Sequence, residues 1–263
     1  MTPDEIKLGL NTNIFGKEII YYSEITSTND VAIEFAKNGA EEGTIVIADN
    51  QTMGRGRRGR RWLALPETCI LASIILKPSL SLKQINIIAP IAITSVAKAI
   101  NETTGLPAFI KWPNDVIIGE KKVSGVLTEI RTEKDHINFA IVGIGVNVNI
   151  PKDEIPPEIS DIATSLNIEL GYEISRIHLL QEILRQFENR YLSLNEATYN
   201  EFLDEWKSLS ATIGKEVQIK SESDIRLGIA LDIDEAGALI VRLDSGGIHK
   251  IINDDLVTVR NIE

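Results

Sequence analysis

Between residues 109 and 149 the chain leaves little freedom of fold. Four β-rich runs follow one another there: Phe109-Ile110-Lys111-Trp112, Val116-Ile117-Ile118, residues 123–130 and residues 139–149. A parallel pair needs a crossover of a dozen or more residues, so connections this short predict antiparallel neighbours. Helical signals flank the block. Thr26-Ser27-Thr28-Asn29 leads into Val31-Ala32-Ile33-Glu34-Phe35-Ala36 and ends at Asn38-Gly39, a cap, an apolar face and a terminating glycine. Ile85, Ile88, Ala92, Ser95, Val96 and Ala99 recur at helical spacing within 82–104, and further helices are expected near 175–194 and 198–208. Ile45-Val46-Ile47-Ala48 and Cys69–Leu76 add two strands. The expected class is α/β (α+β), with a mixed, largely antiparallel sheet flanked by helices.

From about Ile213 the texture changes to short strands (Glu216–Lys220, 228–233, Leu239–Leu243, 249–252, Leu256–Val259) broken by Asp234-Glu235-Ala236-Gly237 and Ser245-Gly246-Gly247. Five such strands predict a small barrel, dividing the 263 residues into 1–211 and 212–263. The start Met1-Thr2-Pro3-Asp4-Glu5 carries no export signal, and no apolar run approaches the ~20 residues of a membrane span. The lone Cys69 cannot form an internal disulfide and sits in an apolar run as a core thiol. A cytoplasmic protein, without membrane contact, is expected.

Charge points to the chemistry. The net charge is −11, yet Gly54-Arg55-Gly56-Arg57-Arg58-Gly59-Arg60-Arg61 holds five of the twelve arginines. Glycines at this spacing free the backbone to turn its N–H groups toward an anion, and the arginines supply forked donors for phosphate or carboxylate. In Lys111-Trp112-Pro113-Asn114-Asp115, proline breaks the ladder and projects an amide and a carboxylate from a strand end. That segment also reads as a surface turn capped by Asn-Asp. Lys122, in Lys121-Lys122-Val123-Ser124-Gly125-Val126, either turns inward toward an anion or belongs to a solvated hairpin tip. Gly143-Ile144-Gly145-Val146-Asn147 lies inside a strand and does not open a helix, which excludes a dinucleotide fingerprint. Its glycines allow close approach of a flat group or a neighbouring backbone. No P-loop is present, and His136, His178 and His249 are too scattered for a zinc site.

In this order the segments closely resemble the biotin protein ligases, over about residues 20–262. The resemblance implies the catalytic fold shared with class II aminoacyl-tRNA synthetases plus a C-terminal SH3-like barrel. It implies that biotin is activated with ATP and Mg²⁺ to biotinyl-5′-AMP and passed to a lysine of a biotin carboxyl carrier protein or domain. By matching position, Ser27, Thr28, Asn29, Gln51, Gly54, Arg55, Gly56, Arg57, Lys122 and Gly125 would bind biotin, and Arg60, Lys111, Asn114 and Asn147 the nucleotide. Lys122, Arg57 and Asp115 would be catalytic, Asp115 toward the acceptor lysine; metal ligands are unassigned. The arginine loop would be mobile when empty and closed over the adenylate. Bifunctional members carry an N-terminal helix-turn-helix domain; with the S-T-N segment starting at Ser27, a ligase without sequence-specific DNA binding is expected. No aromatic flanks Ala163, where the family often places one near the nucleotide. A homodimer is expected, with 138–149 as a candidate pairing edge. Lipoate or octanoate ligases share fold and mechanism and are the alternative enzymes. A nucleic-acid module built on the arginine run is the alternative from another class, set against one copy of the run and the acidic balance.

Overall fold

The computed structural model describes residues 1–134, 136–220, 225–252 and 256–259, the last stretch by its backbone. The final residues of the expected barrel, 260–263, lie outside the described residues. Elements follow in chain order: α1 (Pro3–Lys7), β1 (Ile19–Ile25), α2 (Thr28–Lys37), β2 (Ile45–Gln51), β3 (Cys69–Leu76), α3 (Ile88–Thr104), β4 (Ala108–Lys111), β5 (Asp115–Ile118), β6 (Lys121–Glu133), β7 (His136–Asn147), α4 (Leu166–Leu170), α5 (Arg176–Ser193), α6 (Tyr199–Ser208), β8 (Glu216–Lys220), β9 (Ile225–Ile233), β10 (Leu239–Leu243), β11 (Ile248–Ile251) and β12 (Leu256–Val259).

The first seven strands form one sheet in the order β1-β2-β3-β7-β6-β5-β4. Only β1 and β2 run parallel, with α2 as their crossover; every other pair is antiparallel. β1 escaped the sequence reading because Ile19-Ile20-Tyr21-Tyr22-Ser23-Glu24-Ile25 is a half-exposed edge, without the buried apolar run that betrays β3. The segment 138–149 does not supply a pairing edge. β7 lies between β3 and β6, so its ladder groups are already spent on both sides.

α2 covers one face over Val46, Ile75 and Ile141, and α3 and α5 cover the other. α3 is buried nearly all round, between the sheet, α5 and α6. It begins at Ile88, preceded by a short 3₁₀ turn at Ile85–Ile87, rather than at residue 82. Pro90 accounts for this: lacking an N–H, it is tolerated only in the first turn, where that donor has no intrahelical acceptor. The remaining strands form a second, antiparallel sheet, β11-β10-β9-β8-β12. No helix among the described residues is long and apolar enough to cross a membrane.

Candidate active site

The arginine run folds as a tight hairpin between the carboxyl end of β2 and the amino end of β3. Gly56 N–H donates to Arg60 O (2.7 Å), Arg60 N–H to Arg57 O (3.2 Å) and Trp62 N–H to Gly54 O (2.9 Å). Arg58 and Gly59 turn the tip with φ of 59° and 71°. The expected backbone anion cradle is therefore corrected in part. The N–H groups of Gly56, Arg60 and Trp62 hold the hairpin itself, and the Arg57 and Arg60 side chains line the space beneath it. Gly54 closes the base; a Cβ there would lie 2.6 Å from the Trp62 carbonyl.

Beneath the hairpin is a cavity of about 130 Å³. Its walls include Ser27, Thr28, Asn29, Gln51, Arg55, Gly56, Arg57, Arg60, Asn114, Asp115, Lys122 and Gly125. Residues drawn from three distant stretches of sequence, 27–29, 51–60 and 114–125, thus meet at one place. Gly54 and Lys111 are absent from the described residues lining it; Lys111 sits in register opposite Asp115 on β4.

The polar end hangs on one hydroxyl that the sequence reading missed. Ser73 Oγ, fully buried, lies 2.7 Å from Thr28 Oγ1 and 2.6 Å from Asn29 Oδ1. The available signal was a serine inside the otherwise apolar strand Cys69–Leu76. Gln51 Oε1 in turn accepts from Thr28 N–H at 2.7 Å. Gly143, opposite Ser73 in the ladder, must be glycine, because a Cβ would sit 2.1 Å from Asn29 Oδ1.

Lys122 reaches the cavity through a bulge. Asp115 pairs with Gly125 and Val116 with Ser124, but Ile117 pairs with Lys122, leaving Val123 as the extra residue. The skip places Lys122 on the face of Asp115 and Gly125, where unbroken alternation would aim it away. Its ammonium lies 2.6 Å from Asp115 Oδ1 and 5.3 Å from the Trp62 ring centre. Asn114 is pinned to β6, its Nδ2 donating to Val126 O at 2.7 Å, and its Oδ1 accepts from Arg57 Nη1 at 3.2 Å.

Trp62 is the other residue the sequence reading passed over. Its ring lies against paired glycines of neighbouring strands, Gly125 and Gly145; a Cβ on Gly145 would approach it to 2.6 Å. The flat group expected over these glycines is therefore, in this fold, an indole of the same chain. Beyond it opens a second cavity of about 220 Å³, lined mainly by Trp62, Leu63, Leu65, Ile150, Ile155, Ile159 and Ala163. Asn147 joins this second cavity, with Nδ2 donating to Thr164 O at 2.9 Å. Trp62 reaches this cavity from the wall opposite Ala163. Its indole N–H is buried with no acceptor among the described residues. Burial pushes the neighbouring Cys69 thiol above its usual range, as befits a core residue and not a nucleophile.

The chain matches two family models, the biotin/lipoate A/B protein ligase family over residues 21–147 and the biotin protein ligase C-terminal domain over residues 212–253. The bifunctional ligase/repressor BirA of Bacillus subtilis is 37% identical over 256 residues, 97% of this chain and 78% of that protein. The biotin--[acetyl-CoA-carboxylase] ligase of Mycobacterium tuberculosis is 29% identical over 253 residues, 93% of this chain and 90% of that one. Among solved structures, the biotin protein ligase from Aquifex aeolicus in complex with biotin and ATP superposes with a TM-score of 0.78 at 33% identity, covering 93% of this chain and all of the other.

Proposed function

We propose, from the premise that this chain belongs to the biotin/lipoate A/B protein ligase family, that it is a biotin ligase working through biotinyl-5′-AMP and delivering biotin to a lysine of a carboxylase carrier domain. One observation carries the reading. Two cavities, one polar and rimmed by cations, the other largely apolar, meet across Trp62 and share Gln51 and Arg61 as common wall. An acid with a polar ring head suits the first, with its ureido group toward Thr28, Asn29 and Gln51 and its carboxylate toward Lys122. A nucleobase suits the second, against the Trp62 indole.

Across that boundary the carboxylate oxygen attacks the α-phosphorus, and the bond to pyrophosphate breaks. The ε-amino group of the acceptor then attacks the acyl carbon, and AMP leaves. Neither step needs a protein nucleophile. Lys122, Arg57 and Arg60 offset the charge of the approaching anions, and alignment does the rest. Asp115, beside Lys122, is the carboxylate placed to receive the acceptor ammonium. The hairpin excludes water from the mixed anhydride. Mg²⁺ would screen the triphosphate, but no group of three or more His, Cys, Asp or Glu that could hold a metal occurs among the described residues. β1 and β4 are the two edges of the sheet; the outer side of β4 bonds to Leu209 and Ala211 through Ile110, and we assign the homodimer contact to β1 in place of 138–149.

The acceptor is tested with a purified carboxylase carrier domain, biotin and ATP. Biotin attached to one lysine, and lost when that lysine becomes arginine, supports the assignment. Adenylate formation with an unlabelled carrier would overturn it.

A further inference from the structure

The hairpin and the polar end of the first cavity are joined through one carboxylate. Glu129 Oε2, on β6, accepts from Arg55 Nη2 at 2.6 Å and from Asn29 Nδ2 at 2.9 Å, while its Oε1 lies 3.3 Å from Arg55 Nη1. Its side chain is 15% exposed, and Asn29 is 3% exposed. Asn29 is thus gripped from both sides, with its amide NH₂ toward Glu129 and the Leu127 carbonyl (3.4 Å) and its oxygen toward Ser73. An amide is not symmetric, so a carboxylate on one side and a hydroxyl on the other fix which way it faces. Arg55, at the base of the hairpin, is shared with a second acid, Asp30, at 2.7 Å. Asp30 is about half exposed, and the Asn29 amide bonds to Glu129, Leu127 and Ser73 instead of to it. Arg131 stands 3.5 Å from Glu129 Oε1 and supplies the remaining charge near the carboxylate.

We propose that Glu129 is a positioning residue that couples closure of the arginine hairpin to the orientation of the Asn29 amide in the biotin pocket. It holds both ends at once through a single oxygen. A ligand that engages Asn29 therefore stiffens the seat of Arg55, and an open hairpin loosens Asn29. The proposal rests on reading the first cavity as the biotin pocket. It separates two acids that sequence proximity to Arg55 would treat alike: Glu129 acts on pocket and hairpin, Asp30 on the hairpin alone.

The test compares Glu129→Gln, Glu129→Asp and Asp30→Asn in the full chain. Biotin KM and ATP KM are read by pyrophosphate exchange, escape of adenylate by its rate of appearance in solution, and folding by melting temperature. Glu129→Gln should raise biotin KM roughly ten- to a hundredfold, the scale of one hydrogen bond to a charged group, increase adenylate escape and leave ATP KM within about twofold. Asp30→Asn should increase escape by no more than a few fold, with biotin KM unchanged, because its pair with Arg55 is solvent-screened. Glu129→Asp, which keeps the charge but shortens the reach, should melt like the parent and still raise biotin KM. A fall in melting temperature with both KM values and escape unchanged would reduce Glu129 to a structural role and overturn the proposal. Equal effects of Glu129→Gln and Asp30→Asn on biotin KM would also overturn it. Absence of biotin-dependent exchange in the parent protein would defeat the functional reading beneath it, and so is told apart from failure of the coupling.

Discussion

At the residue scale, the site depends on side chains that are absent as much as on those present. Gly125 and Gly145 form the bed of Trp62, and Gly143 clears the space for Asn29. Gly145→Ala should force the indole off its seat; overpacking of this kind costs about 1–3 kcal/mol and misplaces the wall between the cavities. A fall of roughly tenfold or more in adenylation rate is expected, together with quenched or shifted Trp fluorescence. Normal rates would show that the ring has no part in alignment. Lys122→Ala and Arg57→Ala should part company. The first removes the cation facing the carboxylate, and adenylation measured by pyrophosphate exchange should fall roughly 10²-fold or more. The second, anchored through Asn114, should chiefly raise escape of adenylate. The arginines were legible in sequence because charge in an acidic chain stands out, whereas Lys122 was singled out only by the family resemblance, its own pattern leaving a solvated hairpin tip open. Ser73 and Trp62 were not legible, since a serine in a core strand and a tryptophan after a loop look like packing until the fold sets them against Asn29 and Gly145.

At the scale of elements, strands and helices were largely readable from periodicity, and the exceptions have local causes. The bulge at Val123 has no composition signal, yet it decides which way Lys122 points. β1 is an edge, so its alternation is weak. The N-terminal segment before β1 is held by a feature visible only in three dimensions. Buried Glu188 on α5 accepts backbone N–H bonds from Asn13 (2.5 Å), Ile14 (2.7 Å) and Phe15 (2.7 Å). A glutamine there would turn an NH₂ toward donors. Glu188→Gln should therefore lower the unfolding free energy by about 1.5–3 kcal/mol, measured by urea titration, without altering biotin KM. An unchanged midpoint would mean that water takes over these bonds without loss.

At the scale of the whole molecule, the barrel is tied to the active-site strand and not merely appended. Trp112 donates its indole N–H to Gly237 O (3.0 Å) and its backbone N–H to Thr212 Oγ1 (3.0 Å), while Ile110 exchanges backbone bonds with Leu209 and Ala211 (both 2.8 Å). The boundary at residue 212 was drawn from strand texture alone; that Trp112 belongs to the join, one residue from Lys111 and two from Asn114, was not readable. Trp112→Phe keeps the ring but deletes the donor to Gly237. It should cost about 0.5–1.5 kcal/mol in stability and raise biotin KM more than ATP KM, since the segment it steadies carries Asn114 and Asp115 in the wall of the first cavity. Equal changes in both would mean that the tie serves folding alone. The central claim, that an acid and a nucleotide are joined across Trp62 without a protein nucleophile, is tested most directly by ATP–pyrophosphate exchange in the absence of any carrier. Exchange of labelled pyrophosphate into ATP that requires biotin, and is not supported by lipoate or octanoate, is the expected result. No exchange with biotin, or exchange driven by lipoate instead, would contradict it.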